Sequence, residues 1–316
     1  MKAREEVSGD LNTFVLIEPL TRIIRAISSR AVLTNDSDAQ LEYILRVSHR
    51  LMVLPELAPL RERIRKDLHG SPEARGYMVM DVSSLISDVA DARSLGALIP
   101  LTALCTLVGR PFRVFEHFNL WKPIIVDTGV APERTHGVGF NPLHTDFVNS
   151  TEPPNYVCLL CIQPDPAGGG HTTVANYHKA IPHLSEDDIA LLAMPSFREG
   201  HFYGLLGIGT ELNPFPVLEA KAPRVWKARY TAKMLHTVAD NQQHHLLQTF
   251  HDALTKYQTV FLLRRFHLLI INQELCCHGR LALGAGQAQL PAHKRRYILQ
   301  AFLREHLCQV AETLDL

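Results

Sequence analysis

The sequence has no excess of either charge and no long apolar run. Lysine plus arginine and aspartate plus glutamate each total 32 in 316 residues, so the formal net charge is zero. A chain without a basic surplus has no long-range field that attracts nucleic acid or an anionic membrane. No run approaches the roughly 18–20 apolar residues that span a bilayer. We therefore expect neither nucleic acid nor a membrane as a partner.

The N-terminus and the cysteines lack the features of a secreted protein. Residues 1–14 are charged and contain neither an apolar core nor a cleavage pattern, so they do not resemble a signal peptide. The pairs Cys158/Cys161 and Cys276/Cys277 lie in strand-like segments, where alternation points the two side chains to opposite faces. We expect a cytoplasmic protein whose six cysteines are free thiols, without a structural zinc site.

The hydrophobic pattern predicts one domain, residues 1–316, whose architecture changes along the chain. Residues 1–108 show mainly helical spacing of apolar positions. Residues 109–306 consist mostly of short β-like runs separated by Gly, Pro and Asn, with one amphipathic helix at 240–257. The segment at about 200–229 has no regular period and is expected to be a lid. These features favour a β-sandwich or barrel-like core flanked by helices, mainly from the N-terminal third.

The strongest local signal for chemistry is the segment LHTD at 143–146. In an extended strand, residues two apart project from the same face, so His144 and Asp146 can bind one metal ion together. A third ligand must come from elsewhere, and His278 in the segment CHGR is the candidate. Two histidines and one carboxylate leave three positions of an octahedral ion open, which suits Fe(II) oxygen chemistry. Taken alone, the pair is also compatible with a surface or hydrogen-bonded pair.

Further motifs accompany this pair in a fixed order. HTDF is followed by EPPNYV, GGGHTTVAN, INQELCCHGR and RRYILQ, within about residues 141–302. In these motifs the sequence resembles the taurine dioxygenase and clavaminate synthase-like superfamily of oxygenases. The resemblance implies a mostly β fold with a double-stranded β-helix (jelly-roll) core. It also implies Fe(II) as the metal, with 2-oxoglutarate and O2 as co-substrates.

The resemblance implies roles for individual residues. The metal ligands of the superfamily correspond to His144, Asp146 and His278. Thr172 and Arg296 correspond to the residues that bind the distal carboxylate of 2-oxoglutarate, a task that suits the planar guanidinium of arginine. The stretch between the last metal ligand and Arg296 is longer than in the superfamily, so Arg295 is a rival. Strand alternation allows only one of these two arginines to point inward.

Substrate contacts follow less directly from the sequence. In amino-acid hydroxylases of the clavaminate type, a second arginine four residues beyond the first helps bind the carboxylate of the substrate, and Gln300 stands at that position here. Arg280, two residues beyond His278, meets either a substrate anion or a nearby carboxylate. Asn155 either lines the pocket or satisfies backbone groups. Arg198, beside the predicted lid, is a further candidate for substrate contact.

Three hypotheses of function follow. The leading one is a non-haem Fe(II)/2-oxoglutarate-dependent dioxygenase that hydroxylates a C–H bond of a small molecule in specialised biosynthesis. The substrate is an amino acid or an amino-acid derivative tethered to a carrier protein. Asp146 argues for oxygenation or another outcome of hydrogen abstraction, such as desaturation or ring closure, and against halogenation, because related halogenases have a small residue in place of the carboxylate. The alternatives are a zinc-binding β-barrel hydrolase and a non-enzymatic small-molecule binding module.

Overall fold

The computed structural model describes residues 12–28, 37–69, 74–86, 95–113, 120–199, 214–222 and 225–305. The helices are α1 (Glu18–Ser28), α2 (Ser37–Val53), α3 (Ala58–Leu68), α4 (Leu95–Cys105), α5 (Tyr177–Ala180), α6 (Glu186–Leu192) and α7 (Asn241–Lys256). The strands are β1 (Phe14–Val15), β2 (Tyr77–Asp81), β3 (Arg110–Phe112), β4 (Lys122–Ile125), β5 (Asn141–His144), β6 (Tyr156–Gln163), β7 (Thr172–Asn176), β8 (Leu218–Ala222), β9 (Val225–Ala228), β10 (Thr259–Phe261), β11 (His267–Asn272), β12 (Cys276–Arg280) and β13 (Tyr297–Arg304). Among these residues, no helix has the length and apolar character needed to cross a membrane.

Two sheets form the core of the protein. The larger sheet has the strand order β1-β2-β11-β6-β13-β3, with β4 also paired to β13. Only β1 and β2 are parallel in it. The smaller sheet has the order β10-β7-β12-β5 and is antiparallel throughout. Two mainly antiparallel sheets with flanking helices agree with the predicted double-stranded β-helix.

Strand alternation divides the side chains among three hydrophobic cores. On β13, Leu299 packs with the N-terminal helices α1 to α4, whereas Ile298 faces the smaller sheet. On β12, Cys276 belongs to this core between the sheets, whereas Cys277 packs with α5 and α7 on the outer face of the smaller sheet. Helices therefore cover both outer faces. Every second residue of the paired strands points into the space between the sheets, which we call the interior.

The helix predicted at 240–257 is α7, and it begins where a capping residue satisfies its first turn. The carboxylate of Asp240 accepts a hydrogen bond from the backbone N of Gln243 at 2.7 Å. The portion 1–108 is mainly helical in its described part, as the apolar spacing predicted. It also contributes β1 and β2, which extend the larger sheet beyond the predicted core at 109–306.

The predicted lid at about 200–229 lies only partly among the described residues. Residues 200–213 and 223–224 are outside them. In the described part, β8 and β9 form a hairpin that pairs Leu218 with Ala228. Both of these residues are buried in the core that contains α7. Tertiary packing therefore orders a segment whose sequence shows no periodic spacing of apolar residues. The function of this segment as a lid and the single-domain organisation remain predictions.

Candidate metal centre

Strands β5 and β12 bring the three predicted ligands together. The two strands are antiparallel neighbours, and His144 pairs with His278 in their register. Leu143 and Cys277 face the outer core, so alternation turns both histidines to the interior, where their ring centroids are 4.5 Å apart. Asp146 follows the end of β5. Its Oδ1 lies 3.7 Å from His144 Nε2, and its Oδ2 lies 3.5 Å from His278 Nε2.

This group fits a divalent metal ion. One ligand atom from each residue lies within 4.8 Å of the others. Asp146 Oδ2 is buried and has no hydrogen-bond partner in the described part of the chain, a deficit that a bound cation would remove. His144 Nδ1 lies 2.8 Å from the carbonyl oxygen of Pro142. If Nδ1 donates its proton there, the Nε2 lone pair is left for a metal.

Burial controls the charge of these groups. Burial raises the pKa of the Asp146 carboxyl, and electrostatic interactions with His144, Lys122 and Lys233 oppose this effect without cancelling it. Burial, followed by the electrostatic interaction with His144, holds the pKa of His278 well below its usual range, so its ring is neutral near neutral pH. A neutral imidazole has the free lone pair that metal ligation requires.

Hydrogen bonds hold the backbone of the segment that contains His144 and Asp146. The backbone N of Asp146 donates to Gln273 Oε1 at 2.8 Å, and Gln273 Nε2 donates to the carbonyl oxygen of Pro154 at 3.0 Å. Thr145 points away from the ligands, and its hydroxyl lies 2.7 Å from Tyr177 Oη. Gln273 is 1% exposed. The sequence alone does not reveal this role, because Gln273 stands 127 positions from Asp146 and no local pattern connects the two.

We expect Gln273→Leu to weaken metal binding by about 10–100-fold, the usual cost of losing a group that positions a metal ligand. The substitution removes the acceptor for the backbone N of Asp146 and the donor to Pro154. Titration of the metal-free protein with Fe(II) under anaerobic conditions measures the change. The control is Gln248→Leu, because Gln248 is half-buried on α7, and its side-chain amide donates to Asp252 Oδ1 at 2.8 Å, within the same helix. Wild-type affinity in a folded Gln273→Leu protein would contradict this role.

A second cluster of polar side chains lies where β7 begins and β12 ends, on the interior face of the smaller sheet. Thr172 pairs in register with Arg280. Arg280 Nη2 donates to the carbonyl oxygens of Gly137 and Gly139 at 2.9 and 2.8 Å, whereas its Nη1 is buried without a hydrogen-bond partner among the described residues. Burial, followed by repulsion from Arg296, lowers the pKa of Arg280 to about 10. The two guanidinium groups are therefore close enough to repel each other, and an anion near both would offset this cost.

The two consecutive arginines differ in their contacts. Arg295 donates to backbone carbonyl oxygens, from Nε to Leu290 at 2.9 Å and from Nη1 to Val126 at 3.5 Å. Arg296 is 9% exposed, and no hydrogen bond or ion pair engages its guanidinium within the described ranges. Alternation places Arg296 on the same face as Ile298, towards the interior. A buried guanidinium without a partner suits an incoming carboxylate.

A glycine before Thr172 leaves space for this arginine. Gly170 has a φ of +71°, a conformation that residues with a side chain rarely adopt. A Cβ at this position would lie 2.6 Å from Leu283 Cδ2 and 3.3 Å from Arg296 Cδ. Steric limits therefore explain why the last glycine of the GGGHT motif, Gly170, lacks a side chain. This glycine lies beside the side chain of Arg296.

The other predicted substrate residues lie in different surroundings. Gln300 on β13 is 6% exposed and shares the interior face of Arg296. The side chain of Asn155 donates to Glu274 Oε1 at 3.3 Å and accepts from the backbone N of Glu305 at 3.0 Å. Asn155 thus satisfies neighbouring groups, and it also lines a pocket together with Thr145 and Gln273, so its contact with a substrate stays a prediction. Arg198 is exposed, next to the part of the chain that is not described.

The fold and the site together define a class of protein. A double-stranded β-helix with two histidines and one aspartate on the inner face of a sheet has the donor set of the non-haem Fe(II) oxygenases. The family model "Taurine catabolism dioxygenase TauD, TfdA family" matches residues 124–301. The chain belongs to this family and is a dioxygenase of the Fe(II)- and 2-oxoglutarate-dependent type. The predicted resemblance is confirmed, and it favours the dioxygenase over the zinc hydrolase and the binding module.

Solved structures support the fold. Asparagine oxygenase in complex with Fe(II), 2S,3S-3-hydroxyasparagine and succinate has a TM-score of 0.73 at 19% identity, over 94% of this chain and 95% of that chain. The non-heme iron oxygenase OrfP with Fe and alpha-ketoglutaric acid has a TM-score of 0.67 at 17% identity, over 95% and 96%. OrfP with Fe, succinate and (3S)-hydroxy-L-Arg has a TM-score of 0.68 at 17% identity, over 96% and 97%. Comparison with curated protein sequences finds no match.

Proposed function

We propose that the protein hydroxylates a small molecule, an amino acid or an amino-acid derivative, in an Fe(II)- and 2-oxoglutarate-dependent reaction. The metal ligands in this proposal are His144, Asp146 and His278. The observation that carries it is the convergence of their ligand atoms within 4.8 Å. The substrate class is supported by similar structures that contain hydroxyasparagine and hydroxy-L-Arg. Specialised biosynthesis is the setting that the sequence resemblance favours.

The distal carboxylate of 2-oxoglutarate is assigned to Thr172, Arg296 and Arg280. Support comes from the buried guanidinium of Arg296, which has no hydrogen bond within the described residues, and from the unpartnered Nη1 of Arg280. A carboxylate accepts several charge-assisted hydrogen bonds, so one anion can engage both arginines and the threonine hydroxyl. We therefore assign Arg280 to the co-substrate, not to the substrate.

The residues of the chain position the metal ligands and the co-substrate, and they limit the access of water to the site. When bound, Fe(II) supplies the O2 chemistry in which 2-oxoglutarate is converted to succinate and CO2 while the substrate gains a hydroxyl group. The protein holds the ligands in place through the hydrogen bonds of Gln273 and Pro142. Apolar residues of the interior, among them Val174, Ile298 and Phe302, limit the access of water. Arg296 holds the co-substrate in one orientation.

The proposed site is tested by an anaerobic spectrum. Addition of Fe(II) and 2-oxoglutarate to the protein is expected to produce the weak visible charge-transfer band of the chelate. Asp146→Ala removes a proposed ligand and is expected to lack the band. Asp187→Ala, on the exposed first turn of α6, is expected to retain it. A wild-type protein that binds iron but shows no band, and releases no succinate with any amino acid, would contradict the proposal.

The substrate is either free or tethered to a carrier protein. Gln300 occupies the position at which a second arginine binds a free carboxylate in the clavaminate-type hydroxylases. An acyl group in a thioester carries no charge, and the neutral amide of Gln300 is compatible with such a substrate. Gln300 is thus the residue that favours a carrier-bound substrate. Whether a positively charged side chain lies beside Gln300 decides between a free and a carrier-bound substrate.

A further inference from the structure

A lysine on the interior face of the larger sheet has no role in the function proposed so far. Lys122 is the first residue of β4, and its partner in the register with β13 is Gln300. Ile124, two residues further along β4, lies in the core between the sheets, so alternation turns Lys122 to the interior. Gln300 shares that face with Ile298 and Phe302. The ammonium and the amide are therefore neighbours on the interior face.

The side-chain amide of Gln300 makes no hydrogen bond within the described ranges, and the residue is 6% exposed. A polar group with so little access to water gains free energy from a hydrogen bond to a ligand. The amide offers two donors, and the neighbouring ammonium of Lys122 offers three.

The strand that carries Gln300 reaches the proposed metal site. Phe302, two residues beyond Gln300 on the same interior face, packs edge-on against Phe147, with ring centroids 5.3 Å apart. Phe147 directly follows Asp146 in the sequence. Lys122 and Gln300 therefore lie on the part of the interior face that borders the proposed metal ligands.

We infer that Lys122 and Gln300 bind a carboxylate of the substrate, and that the substrate is a free acid and not a carrier-bound thioester. The inference rests on the proposed function. A carboxylate satisfies the amide of Gln300 and the ammonium of Lys122 together, whereas a thioester offers no charge to the ammonium. Lys122 on β4 thus provides the positive charge that Gln300 on β13 lacks.

The experiment compares acids with their uncharged counterparts. The twenty free L-amino acids and their carboxamides are titrated anaerobically into the protein loaded with Fe(II) and 2-oxoglutarate, and the shift of the charge-transfer band gives each Kd. We expect at least one free acid to bind, and its carboxamide to bind about 10–100-fold more weakly. Lys122→Gln is expected to remove most of this difference, whereas Lys122→Arg retains it. The control is Lys227→Gln, because Lys227 is half-buried and paired with Glu219 at 2.8 Å.

A second measurement does not depend on turnover or on the band. Amine-reactive labelling followed by mass spectrometry is expected to show Lys122 protected when the acid binds, and Lys227 labelled to the same extent with and without it. Equal affinities for acid and carboxamide, an unchanged preference in Lys122→Gln, or tighter binding of an aminoacyl phosphopantetheine thioester would overturn the inference. A wild-type protein without the Fe(II)/2-oxoglutarate band would instead refute the proposed function, so the two failures are distinguishable.

Discussion

Replacement of His278 by alanine is expected to abolish the release of succinate from 2-oxoglutarate. His278 is the proposed ligand from β12, and the other two ligands come from β5 and the residues after it. Its removal leaves His144 and Asp146, two donors from one segment, to hold the ion. Loss of groups that merely orient metal ligands costs about 10–100-fold in affinity or activity, so loss of a ligand is expected to exceed about 100-fold. The iron content after dialysis should fall in parallel.

The matched control for this experiment is His171→Ala. His171 directly precedes β7 in the same sheet but is not part of the ligand group. It is expected to keep its iron and most of its activity. Circular dichroism of both variants checks that they fold, because His278 is buried and its removal leaves space in the interior. A folded His278→Ala protein with wild-type iron affinity and turnover would refute the proposed site.

Replacement of Arg296 by glutamine is expected to raise the KM for 2-oxoglutarate. Hydrogen bonds to a charged group contribute about 1.5–3 kcal/mol, which corresponds to about 10–150-fold in affinity. The effect falls mainly on KM, because the distal carboxylate lies away from the reacting end of the co-substrate. Arg296→Lys keeps the charge but lacks the planar fork, so an intermediate KM is expected. Steady-state succinate assays over a range of 2-oxoglutarate concentrations measure the change.

Arg295→Gln is the control that distinguishes the two neighbours. Arg295 bonds the carbonyl oxygens of Leu290 and Val126, so its loss is expected to lower the melting temperature and leave the KM unchanged. The opposite pattern, with a raised KM in Arg295→Gln and a normal KM in Arg296→Gln, would reverse the assignment. The two variants remove the same charge from adjacent positions. A difference between them therefore reports the contacts of each side chain and not the net charge of the site.

Much of the fold and part of the site could be predicted from short stretches of sequence. Helix α7 shows an apolar period and begins after Asp240, which accepts the hydrogen bond expected of a capping residue. The order of the motifs indicated the family, which the match over 124–301 confirms. The β8–β9 hairpin was not predicted, because it is ordered by packing against α7 and not by a period of its own.

The sequence by itself paired His144 with Asp146, because two candidate ligands two residues apart form a local pattern. In the structure β5 ends at His144, so the turn that follows the strand, and not strand alternation, presents Asp146. Only the tertiary structure decided that His278 lies opposite His144 and that Lys122 lies beside Gln300. It also decided that Arg295 bonds backbone carbonyls, whereas Arg296 makes no hydrogen bond among the described residues. These relations depend on the register between strands that are distant along the chain. Register arises from the packing of whole sheets, so no local pattern contains it.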